Sequence, residues 1–93
     1  MTAVKQIINV SEFLIRNACE NTTSGNFIID TDEITKATGM DYMDILYYRD
    51  AIMEEMYEHK EILDVEYDIY NDHFDIVCAL DYCPKYEPNN YDE

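Results

Sequence analysis

Apolar and polar residues alternate along two neighbouring stretches near the C-terminal end of the chain. Leu63, Val65, Tyr67 and Ile69 are separated by Asp64, Glu66 and Asp68, and Phe74, Ile76, Cys78 and Leu80 follow at the same spacing. A period of two is the pattern of a strand with one buried and one wet face. Asn71-Asp72 between the stretches predicts a two-residue turn, and so a hairpin over 62–82. In that register Tyr70 faces His73, and Ile69, Tyr67, Val65 and Leu63 lie opposite Phe74, Ile76, Cys78 and Leu80. All four pairs are apolar, so one face of the ribbon is a wall for a core. The other face sets Asp68 opposite Asp75, with Asp64, Glu66 and Asp81 beside them. Like charges paired across strands cost up to about 1 kcal/mol, and no Lys or Arg lies between Lys60 and Lys85 to offset this.

Upstream the period changes to that of helices. Val4, Ile7, Ile8, Ser11, Leu14, Ile15 and Ala18 fall on one stripe and predict a first helix from residue 3 to about 20, with Val10 and Phe13 widening it. Asn21 to Asn26 has the composition of a loop, and Phe27-Ile28-Ile29 of a short strand. Asp30 and Glu33 stand as N-cap and N3 of a second helix, a carboxylate form of the capping box, and Gly39 is a suitable residue to end it. Asp41 starts a third helix running to about His59. Its predicted buried stripe is Tyr42, Ile45, Leu46, Arg49, Ile52, Met53 and Met56. From Cys83 the prolines and the loss of periodicity predict a flexible acidic tail over 83–93, leaving one domain over 1–82.

Charge changes this picture more than composition does. The net charge is −15 over 93 residues. Up to Ile29, Lys5 and Arg16 cancel Glu12 and Glu20, so everything after that point carries the whole excess. Such a field repels nucleic acid and anionic lipid and steers the chain toward cationic surfaces. Direct phosphate binding is disfavoured, since it draws on Lys and Arg displacing counterions. No apolar run of about 18 residues is present to span a membrane, and the N-terminal stretch has no signal-peptide core. Cys19, Cys78 and Cys83 are odd in number and form no CxxC pair, which fits reduced thiols in a cytoplasm.

The residues give little support to chemistry. Asp64, Glu66 and Asp68 share the spacing of a calcium loop, but Ile69 replaces the needed glycine and strand alternation explains the spacing. The cysteines and two histidines lack zinc-ligand spacing and offer no nucleophile–base pair. No cofactor, no metal and no enzymatic activity are expected. The carboxylates of the ribbon, two residues apart, stand roughly 6.6 Å from each other, comparable to neighbouring phosphates on a nucleic-acid strand. Nine tyrosines add contact surface of low entropic cost. The candidate partner-binding residues are therefore Asp44, Tyr47, Tyr48, Glu54, Glu55 and Glu58 on the third helix, with Asp64, Glu66, Asp68 and Asp75 on the ribbon. The competing reading is a solvated face that protects a sheet edge.

The order helix, short strand, helix, Gly turn, longer helix and ribbon resembles the winged helix-turn-helix family over about residues 3–82. The resemblance implies an α+β fold in which the short strand joins the ribbon, with 30–59 as the helix-turn-helix and Asn71-Asp72 as the wing tip. It also implies base reading from Asp41, Tyr42, Asp44, Tyr47, Tyr48 and Ala51, where Arg, Lys, Asn or Gln are the usual readers. Here those positions are acidic or aromatic except for Ala51, and the wing offers Asp68, Asp72 and Asp75 with a single His73. In charge and size the chain resembles phage-encoded nucleic-acid mimics, anti-CRISPR proteins and inhibitors of restriction or repair nucleases among them. That implies a cytoplasmic inhibitor of a basic nucleic-acid-binding protein or nuclease complex, with helix 3 and wing in its channel. The alternatives are a regulatory module acting through protein contacts or as a homodimer, and a sequence-specific DNA-binding repressor.

Overall fold

The structure, a computed structural model, describes residues 3–87. Three helices and a three-stranded antiparallel sheet make an α+β fold in the order α1 (Ala3–Asn21), β1 (Asn26–Asp30), α2 (Thr31–Thr38), α3 (Tyr42–Tyr57), β2 (Ile62–Asp68) and β3 (His73–Cys78). A 3-10 turn at Leu80–Tyr82 follows. The strands lie in the order β1-β3-β2, so the short strand does join the ribbon, against β3.

The helices cover one face of this sheet. Val10, Leu14 and Ala18 of α1, Ile34 of α2, and Ile45, Ile52 and Met56 of α3 share one core with Ile29, Val65, Phe74, Ile76 and Cys78. Burying a side chain of this size contributes about 1.5–3 kcal/mol, which is why the inward register of the strands is strongly specified. Ser11 is fully buried among them. Its hydroxyl donates to the Ile7 carbonyl at 2.7 Å and lies 3.2 Å from the carbonyl of Ile52, joining α1 to α3. Val4, expected on the buried stripe, is exposed.

The hairpin differs from its expected form in register. Asp68 pairs with His73, Tyr67 with Phe74, Glu66 with Asp75 and Val65 with Ile76. The connection is thus the four residues Ile69–Asp72, not Asn71-Asp72 alone. Asp68 accounts for the difference. Its carboxylate accepts the backbone N–H of Tyr70 at 2.9 Å and of Asn71 at 3.2 Å, and the Asn71 side-chain amide at 2.9 Å. An Asx-type turn therefore starts two residues before the expected one. A shift of two keeps every side chain on its face, so Val65, Tyr67, Phe74, Ile76 and Cys78 remain on the core side. Ile69 is lifted into the exposed loop. A bulge between Ile62 and Asp64 turns Ile62 inward and Leu63 outward, 62% exposed. The second arm stops at Cys78, so Leu80 does not pair with Leu63.

Both carboxylate caps fail to form side-chain bonds: Asp30 and Asp41 hold the extended N-cap backbone without them. The start of α2 is capped from the loop between β2 and β3 instead. The carbonyl of Asp72 accepts the Thr31 N–H at 2.9 Å and the Thr31 hydroxyl at 2.7 Å. Gly39 closes α2 as expected, with φ 81° and its N–H on the Thr35 carbonyl. Gly25 has φ 97°, and a Cβ there would stand 2.8 Å from Leu80 Cδ2. The expected tail starts packed: Cys83 is buried, Tyr86 lies against the core, and the Glu87 N–H reaches the Thr23 carbonyl at 3.0 Å. Residues 88–93 of that tail lie outside the described residues.

Candidate functional site

With the helices on one face, the other face of the sheet is left to solvent. Its rows follow from the register: Asn26–Val77–Asp64, Ile28–Asp75–Glu66 and Asp30–His73–Asp68. Five of these nine positions are carboxylates. The expected opposition of Asp68 and Asp75 is absent, and the like-charge pair is Glu66 with Asp75, one step along. Asp68 faces His73 instead, with Nε2 at 3.6 Å from its carboxylate. The three donors from Tyr70 and Asn71, the Asn71 amide foremost, hold the Asp68 carboxyl below its ordinary pKa.

The second set of candidates lies on the solvent side of α3. Met43, Asp44, Tyr47, Asp50, Glu54 and Glu58 are exposed, Tyr47 at 79%. Tyr48 is half-buried and packs edge-on against Tyr47, with ring centroids 4.8 Å apart. Glu55 is half-buried and 3.8 Å from His59 Nε2. The candidates thus fall on two surfaces, the outer sheet face and the outer side of α3. Tyr57 connects them at the free edge of β2. Its hydroxyl donates to Asp64 Oδ1 at 2.5 Å and accepts the Val65 N–H at 3.1 Å. That bond to Asp64 raises the Tyr57 pKa above its usual value.

The loop between β2 and β3 is drawn inward. Asp72, at φ 54°, presents its carboxylate to the Tyr42 hydroxyl at 2.9 Å and the Tyr67 hydroxyl at 3.2 Å, while its carbonyl caps Thr31. Tyr42, expected in the core, is therefore exposed at the start of α3, and the bond to Asp72 raises its pKa. Arg49 lies 5.5 Å from the centroid of the Tyr67 ring. A cavity of about 420 Å³ opens beside this knot, lined by Asp30, Thr31, Asp32, Thr35, Tyr42, Asn71 and Asp72. Thr35 Oγ1 is buried there without a hydrogen-bond partner among the described residues. No group of three or more metal-ligating side chains is placed to hold an ion among the described residues.

Sequence reasoning singled out neither Tyr57 as the cover of the β2 edge nor the Thr31–Tyr42–Tyr67–Asp72 knot. Both join residues far apart in the chain, and no local pattern announces them. Asp30 and Ile28 joined the acidic face only once β1 was registered against β3. The three cysteines are free, and no helix among the described residues is long and apolar enough to cross a membrane. Comparison with family models, with curated proteins and with solved structures gives no match.

Proposed function

We propose that this chain is a small acidic inhibitor that acts by binding, occupying the nucleic-acid channel of a basic partner such as a nuclease or an effector complex. The observation that carries this reading is the outer sheet face. Asp30, Asp64, Glu66, Asp68 and Asp75 share it, and His73 is the single basic side chain among the described residues of its three rows. Carboxylates two apart on β2 stand roughly 6.6 Å from each other, and the edge through Tyr57 continues the negative surface to Glu54 and Glu58 of α3. A Lys- and Arg-lined groove that holds phosphates by backbone contacts meets similar charge at similar spacing here. The element order resembles that of a winged helix-turn-helix, and in this reading such a scaffold keeps its shape while its surface has the opposite sign.

The reading is tested by capture on the immobilised chain at low salt, elution at high salt, and a DNA-displacement assay on what elutes. The expected result is a nucleic-acid-binding protein whose DNA the chain displaces, with affinity falling steeply as salt rises. Paired Glu66→Lys and Asp75→Lys changes should weaken displacement at least tenfold while far-UV circular dichroism stays unchanged. Binding of the isolated chain to duplex DNA overturns the proposal. A second reading, a regulatory module working through protein contacts or as a homodimer, draws on the exposed Met43 and Tyr47 of α3; recovery of only further copies of the chain supports it.

A further inference from the structure

We infer that the free edge of β1 at Ile28 is a strand-addition site for an extended, Lys- or Arg-bearing segment of the partner. This rests on the proposed function for the sign of the partner's charge, and on backbone geometry for the place. The sheet has two edges, β1 and β2. At β2 the outward N–H of Val65 is taken by the Tyr57 hydroxyl, so a helix side chain closes the middle of that edge. At β1 the Cys78 N–H bonds the Gly25 carbonyl and the Thr31 N–H bonds the Asp72 carbonyl. Antiparallel alternation then points Phe27 and Ile29 at β3, and Asn26, Ile28 and Asp30 outward.

Asn26 is closed by its own turn, its carbonyl accepting from Thr22 Oγ1 at 2.6 Å and its N–H bonding Ser24 Oγ at 3.2 Å. The Asp30 carbonyl, at the N-cap, serves the first bond of α2. Among the described residues, what is left open is the N–H and carbonyl of Ile28 and the N–H of Asp30, beside an Ile28 side chain 56% exposed. An open edge with an apolar side chain is a template for another strand. Ile28 sits level with Asp75 and next to Asp30 on the outer face, so the incoming strand fits with an apolar residue over Ile28 and cations two residues to either side. A second copy of the chain fits poorly, because it brings another net charge of −15 to the same edge.

The probe is a short peptide carrying Lys-Thr-Val-Thr-Lys, titrated into the full chain with amide NMR and hydrogen exchange as readouts. The expected result is saturable shifts at Ile28 and Asp30, at least tenfold slower exchange of the Ile28 amide, and loss of both at high salt. Ile28→Pro removes the outward donor at a position where an edge strand tolerates proline, and Ile28→Lys keeps the backbone but reverses the local charge pattern. Each should weaken peptide binding at least tenfold. Shifts confined to β2 and α3 overturn the inference, as does Ile28 protection that rises with protein concentration in the absence of peptide. If Ile28→Pro folds and still displaces DNA from the captured partner as wild type does, while the Glu66 and Asp75 reversals do not, the edge inference fails and the inhibitor reading stands.

Discussion

Replacing Thr31 by Val should loosen the β2–β3 loop without damaging the core. Thr31 is 1% exposed, and its hydroxyl donates to the Asp72 carbonyl at 2.7 Å while lying 3.2 Å from the Tyr67 hydroxyl. Valine has nearly the same shape, so no cavity opens. The Asp72 carbonyl keeps the backbone N–H of residue 31, and the Tyr67 hydroxyl keeps the Asp72 carboxylate at 3.2 Å. No buried group is then left wholly unpaired, and the loss is that of one hydrogen bond, about 1 kcal/mol. For a domain of this size that is a fall in melting temperature of roughly 4–8 °C, readable by far-UV circular dichroism. Paired with Tyr67→Phe in a double-mutant cycle, the change should show a coupling of about 0.5 kcal/mol or more. Unchanged stability, or strict additivity with Tyr67→Phe, would refute this picture of how the β2–β3 loop is held.

Other outcomes follow from single contacts. Tyr57→Phe removes the cover of the β2 edge, so the Val65 amide should exchange faster; unchanged protection would mean the hydroxyl is not what covers it. The carboxyl of Asp68 has a lowered pKa in the folded chain, so its contribution to stability is present above the ordinary carboxylate range and is lost as pH falls through the folded value. Asp68→Asn should flatten the acid limb of stability against pH, and a parallel limb would contradict this. Gly25→Ala meets both a positive φ and Leu80 and should cost about 1–3 kcal/mol; adding Leu80→Ala should recover only the steric part in urea unfolding.

How far the sequence could be read depends on how local each determinant is. The helices were legible because their stripes repeat every three to four residues, and Gly39 because a left-handed helix end nearly requires it. The faces of the hairpin were legible for the same reason, and they survived the two-residue shift because side chains alternate with period two. The turn itself was misplaced: Asn71-Asp72 has turn composition, but the Asp68 carboxylate gathers three donors and closes a longer loop. The bulge at Leu63 leaves no mark in an alternating pattern. The cap of α2 was sought in Asp30 and Glu33, whereas it comes from the Asp72 carbonyl, forty-one positions beyond the Thr31 it bonds. The acidic positions of the candidate site were legible as a list. Their division between the outer sheet face and α3, and the link through Tyr57, depend on packing that no short stretch encodes.

The three thiols are also a clock. Cys19, Cys78 and Cys83 are buried in the folded chain, which keeps an alkylating reagent from all three, and burial also pushes the Cys19 thiol up and Cys78 up to about 12, so ionisation disfavours attack on those two. Reagent consumed at neutral pH therefore counts excursions in which α1, β3 and the following segment come apart. The native cysteines alone, with no label introduced, time how often this molecule opens.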